Sequence, residues 1–119
     1  MECRIIIDSD SRLNKDGAWK LLPHDKYGWN RFKGIIKDNI LYYKGKSVID
    51  LTDITRCDRG ILTDEDGSTK YRWYYLYISN SLLTDDNKTY FKGHYLERTT
   101  LFFDGVAVTN AHVHLEIFI

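Results

Sequence analysis

The chain has 119 residues, one domain's worth, and its 17 Lys+Arg balance 17 Asp+Glu to a formal net charge of zero. That balance excludes the bulk cationic field of a generic nucleic-acid coat, and 43% hydrophobic residues exclude a chain disordered by composition. No apolar run approaches the roughly 20 residues of a spanning helix, and Met1–Ile7 lacks the apolar core of a secretory signal, so a cytoplasmic protein is expected.

Short runs rich in Ile, Val, Tyr, Phe and Thr predict strands at 3–7, 31–37, 39–44, 47–52, 70–79, 88–97, 99–103, 106–109 and 111–118. Turn or bulge signals separate or interrupt them, among them Lys33-Gly34, Asp38-Asn39, Lys44-Gly45, Arg59-Gly60, Asp85-Asp86-Asn87 and Asp104-Gly105. The segment 9–22 is the one helix candidate, with Leu13, Trp19 and Leu22 on a shared face. There is no repeat, low-complexity tract or linker, so residues 1–119 read as a single domain. The expected architecture is mainly β: a compact antiparallel barrel or sandwich of about 7–9 short strands, with at most one short helix near 9–22.

Cys3 and Cys57 are too few for a disulfide framework or a four-cysteine zinc site, and read as free thiols. Residues 20–46 interleave Lys20, Lys26, Arg31, Lys33, Lys37, Lys44 and Lys46 with Trp19, Tyr27, Trp29, Phe32, Tyr42 and Tyr43. Two readings fit this stretch. Cations beside rings can hold phosphates by charge and planar groups by stacking. Equally, lysines can guard strand edges while the rings pack inward. The acidic turn Asp64, Glu65 and Asp66 reads as a solvated loop or a protein-contact point.

Trp29-Asn30-Arg31-Phe32, then 35–44 ending in Leu41-Tyr42-Tyr43-Lys44, then Val48-Ile49-Asp50-Leu51, resembles the first strands of pleckstrin-homology domains. Over residues 29–52 the resemblance implies a seven-stranded barrel closed by a C-terminal helix. It also implies a phosphate-bearing ligand, a phosphoinositide headgroup or a nucleotide, with Lys20, Arg31 and Lys33 at the matching positions. Residues 105–119 depart from that family, because they read as strand where it has the closing helix.

On the strand at 71–78, Tyr71, Trp73, Tyr75 and Tyr77 alternate onto one face; both faces are largely apolar, which predicts a central strand. On 111–118, Val113, Leu115 and Ile117 form an apolar side, and His112, His114, Glu116 and Phe118 form a more polar outer one. His112-x-His114-x-Glu116 is the best catalytic constellation, since imidazole and carboxylate ligate zinc and non-haem metals, and His24 or His94 could complete it. No Gly-x-Ser-x-Gly elbow and no glycine-rich phosphate loop occurs.

The balance favours a non-enzymatic binding protein that needs no cofactor and meets a protein partner through Lys20, Lys26, Trp29, Arg31, Lys33, Tyr71, Trp73, Tyr75 and Tyr77. A small inhibitor of the toxin-immunity or phage anti-defence type, from a virus or mobile element, would suit such a chain. The alternatives are the phosphate-ligand binder and a metal-dependent enzyme using His112, His114 and Glu116. Exposed tyrosines and strand edges also suit a homodimer.

Overall fold

The computed structural model describes residues 1–9, 18–53, 58–63, 70–91 and 95–118. Ten strands are present among them: β1 (Glu2–Ser9), β2 (Asn30–Lys37), β3 (Ile40–Tyr43), β4 (Lys46–Asp50), β5 (Asp58–Thr63), β6 (Lys70–Ile78), β7 (Tyr95–Leu96), β8 (Leu101–Phe103), β9 (Val106–Val108) and β10 (Ala111–Phe118). One sheet runs in the order β4-β3-β2-β1-β10-β6-β5, antiparallel throughout. Strand β7 adds in parallel to the end of β6 that β5 leaves free. Strands β8 and β9 form a separate hairpin. The mainly β architecture is as the residue pattern predicts.

Three hairpins explain much of this order. Asp38-Asn39, Lys44-Gly45 and Asp104-Gly105 each place both central residues at positive φ, between 50° and 81°. That turn geometry matches the right-handed twist of the strands it joins, so β2-β3-β4 and β8-β9 fold back directly.

The inner face of the sheet carries the core. Ile5 and Ile7 of β1, Phe32 of β2, Leu41 of β3, Leu76 and Ile78 of β6, and Val113 and Leu115 of β10 are all buried on it. The β8-β9 hairpin lies over this face. Phe103 sets its ring edge-on to Phe32 (5.4 Å) and Tyr43 (6.0 Å), which are themselves 4.8 Å apart. Trp19 and Leu22, from the 3-10 turn Ala18–Leu21 and the residue after it, complete the cover. Asn30, buried at the start of β2, ties that segment down by donating from Nδ2 to the Trp19 and Leu22 carbonyls, both at 3.1 Å. A Cα radius of gyration of 14.0 Å fits one globule, for which about 13.5 Å is expected at this length. No helix among the described residues is long and apolar enough to cross a membrane.

Three expectations need correction. The predicted strand 88–97 is instead the helix α1 (Asp85–Tyr90) followed by the short β7. Thr84 caps that helix by accepting from the Asn87 N–H at 3.3 Å, and Asp85 and Asp86 sit in its first turn, where carboxylates favour a helix start. Of the helix candidate 9–22, residues 10–17 lie outside the described residues, and the described part holds the 3-10 turn Ala18–Leu21. Arg59-Gly60, read as a turn, lies inside β5 and pairs with Tyr74 and Trp73 of β6. Lys33-Gly34 is neither turn nor bulge. Gly34 sits in unbroken register opposite Cys3, and a Cβ there would stand 2.8 Å from Ile5 Cδ1 and 3.0 Å from the Tyr42 carbonyl oxygen.

Candidate binding face on the outer side of the sheet

Alternation along β2 is regular: Asn30, Phe32 and Gly34 are buried while Arg31, Lys33, Ile35 and Lys37 are exposed. The registers carry that alternation across the sheet. Arg31 of β2 lies opposite Ile6 of β1, Ile6 opposite His114 of β10, and His114 opposite Tyr75 of β6. One pleat along, Lys33, Arg4, Glu116 and Trp73 form the parallel row. Four strands at the usual spacing of about 4.8 Å span about 14 Å. Candidate residues from three distant stretches of sequence therefore share one surface.

Within this face the charges are partly paired. Glu116 is 7% exposed and faces Arg4, whose Nη1 lies 3.7 Å from Oε1. Arg31 Nε lies 3.1 Å from Asp25 Oδ2. The other oxygen of Asp25 accepts from the Tyr27 and Trp29 backbone N–H groups at 2.9 and 3.0 Å. One carboxylate thus fixes the loop that presents Trp29, 46% exposed, and the guanidinium of Arg31. As a surface ion pair this contact adds little stability, about 0–1 kcal/mol, and its main effect is orientation.

The aromatic members differ in what they can present. Trp73 and Tyr75 are half-buried and pack beside His114, at 6.2 and 6.1 Å between ring centroids. Tyr77 is fully buried: Phe91, at the end of α1, stacks on it at 3.9 Å with a 7° interplanar angle. Its ring belongs to a second small core with Leu83 and Phe91 and is not available to a partner. The side chain of Tyr71 lies outside the described set. Lys20 and Lys26 are exposed, each over its neighbouring ring, Trp19 at 5.6 Å and Tyr27 at 5.0 Å. Lys20 lines a depression with Trp19, His24, Gly28 and Asn30, apart from the groove that Lys33 lines.

His112, His114 and Glu116 do project to one side of β10, but the side is less polar than expected because β6 sets aromatic rings against it. His112 is held between Tyr75 (5.1 Å) and Tyr77 (5.0 Å), with Phe91 at 5.5 Å. His114 Nε2 is buried with no hydrogen-bond partner, and burial pushes its imidazole below the usual histidine pKa, against the pull of Glu116. Each group is engaged with its own neighbours, and among the described residues no three His, Cys, Asp or Glu side chains gather into a metal-binding set. His94 and Cys57 lie outside the described residues. Cys3 is a buried free thiol whose pKa burial raises to about 11, which disfavours the reactive thiolate.

One further feature has no motif in the sequence. Beside Lys33, an open groove of about 570 Å³ runs between β2 and β3, with Ile35, Tyr42 and Gly34 on its floor and Lys33, Lys37, Lys44 and one carboxylate, Glu2, around it. Ile35 is 54% exposed, so its position between two lysines on the outer side of β2 is the signal that could have found it. Comparison with family models, with curated proteins and with solved structures found no match to the chain.

Proposed function

We propose that this chain is a non-enzymatic binding protein and that the outer face of β2, β1, β10 and β6 is its contact surface for a protein partner. The observation that carries the reading is the pair of cross-sheet rows, Arg31–Ile6–His114–Tyr75 and Lys33–Arg4–Glu116–Trp73. Trp, Tyr and Arg are the side chains that dominate protein contact energies, and the rings bury much area while losing few rotamers. Here they stand on paired strands rather than loops, so little ordering remains to be done on binding. The mixture of signs gives orientation and selectivity to the contact.

The test is affinity capture from the native host, or from its prey if the chain acts on another organism. The partner retained by the native chain should be lost on Trp73→Ala and on Arg31→Glu, and kept on Lys20→Glu. Melting temperatures measured alongside separate loss of contact from loss of fold. Retention of the partner by both outer-face variants, each still folded, would overturn the reading.

A further inference from the structure

We propose that the groove between β2 and β3 binds an extended acidic segment of the partner protein, with the pattern acidic–x–apolar–x–acidic. The proposal rests on the binding reading above and names the chemistry that one part of the face selects.

Lys33 and Lys37 stand four residues apart on the outer side of one strand, and Ile35 lies between them. Side chains on one strand face repeat at about 6.7 Å, so the two lysine stems leave the sheet about 13 Å apart. Neither lysine has an acidic side chain within ion-pair distance among the described residues. Lys44, by contrast, already meets Asp104 at 3.2 Å, and Lys46 shares that carboxylate at 3.5 Å. Among the described residues, the cations of the groove without an ion-pair partner are therefore Lys33 and Lys37, which flank an exposed apolar side chain, with the Glu2 carboxylate on the lining beside it.

An extended peptide laid along the strand repeats its own side chains at the same interval. Two carboxylates four residues apart fall over Lys33 and Lys37, and the side chain midway between them falls on Ile35 and Tyr42, which are direct partners in register. Glu2 lies opposite Ile35 from the β1 side, so a carboxylate in the middle position would be repelled. A lone phosphate fits less well: to meet on it, both stems would have to extend along the strand across Ile35 and lose their rotamer freedom. A second copy of this chain does not supply the pattern, because no two of its acidic residues are four apart.

The experiment is a titration of the full ¹⁵N-labelled chain with a capped nine-residue peptide whose core reads Glu-Thr-Leu-Thr-Glu. It is repeated with an isomer whose glutamates are adjacent, and with sodium pyrophosphate. The first peptide should shift amides at 33–37 and 42–45, and the isomer should bind at least about fivefold more weakly. Binding should weaken as salt is raised. It should vanish in the double variant Lys33→Glu, Lys37→Glu and survive in Lys20→Glu, Lys26→Glu, with circular dichroism confirming that both fold. Equal affinity for the isomer, pyrophosphate acting on the same amides at lower concentration, or no shift at about 5 mM peptide would each overturn the proposal. If the native partner is lost on Trp73→Ala but kept by the Lys33/Lys37 double variant, the groove proposal fails and the outer-face reading stands. Peptide binding at the groove together with a partner indifferent to both Trp73→Ala and Arg31→Glu would instead overturn the outer-face reading and leave the groove as the contact site.

Discussion

Replacing Gly34 by alanine should destabilise the fold by about 1–2 kcal/mol, even though alanine is intrinsically the better residue in a strand. The new Cβ would meet Ile5 Cδ1 at 2.8 Å, the Tyr42 carbonyl oxygen at 3.0 Å and Leu41 Cδ1 at 3.1 Å. Two of these are flexible ends, but the carbonyl belongs to the neighbouring strand and cannot swing away. Overpacking of a core by one methyl costs about 1–3 kcal/mol, and the entropy regained on replacing glycine within a strand offsets about 0.5–1 kcal/mol of it. With an unfolding entropy near 2.1 cal/mol/K per residue, each kcal/mol moves the melting temperature of a chain this long by about 4 °C, so a drop of about 4–8 °C is expected. Thermal melts by circular dichroism read this directly. Ile5→Val removes the Cδ1 atom and alone costs about 0.5–1.5 kcal/mol. In the double variant the two costs should fall short of their sum by at least about 0.5 kcal/mol, because one clash has been relieved. Additive costs, or an alanine variant that melts higher than the native chain, would refute the close-packing account of Gly34. Its backbone is also what holds Lys33 and Ile35 in line with the groove, so the same variant should weaken binding of the acidic peptide.

Two contacts elsewhere in the fold carry their own expected outcomes. His114 has a folded pKa below its unfolded value, so the unfolded chain binds the extra proton first; stability is full well above the unfolded pKa of 6.5 and falls as pH drops through it towards the folded pKa. The melting temperature should decline between about pH 7.5 and 5.5, and His114→Gln should flatten part of that slope; an unchanged slope would count against the burial of this ring. Thr84→Ala removes the cap of α1 and should cost about 0.5–1 kcal/mol. Because Phe91 stacks on Tyr77, the near-ultraviolet dichroism of that pair should weaken as well, whereas Thr84→Ser should restore both.

Period-two patterns were readable wherever a strand has a distinct inside and outside. Val113, Leu115 and Ile117 are buried as the alternation on β10 predicts, and the two apolar faces of β6 match a strand flanked on both edges. Short local signals were less readable. Asn87 to Tyr90 has strand-forming company, and only the Thr84 cap with Asp85 and Asp86 favours the helix. Arg59-Gly60 looks like a turn in isolation; pairing with β6 overrides it. Tyr77 matches Tyr75 in sequence context, yet α1 covers one and not the other, a tertiary fact with no local signature. The shared outer face was the least legible feature, because nothing near Arg31 or Trp73 states that β1 and β10 lie between them.

The position of β10 has a consequence for how the molecule comes to exist. It is the seam between two blocks, β1 to β4 on one side and β5 with β6 on the other. During synthesis both blocks can form while residues 111–118 are still inside the ribosome, and each then waits with a bare hydrogen-bonding margin. Closure demands pairing over more than a hundred residues of chain, from Cys3 to Ile117, so the final zipper should be the slow event in maturation and the moment of greatest exposure to a chaperone or to clumping.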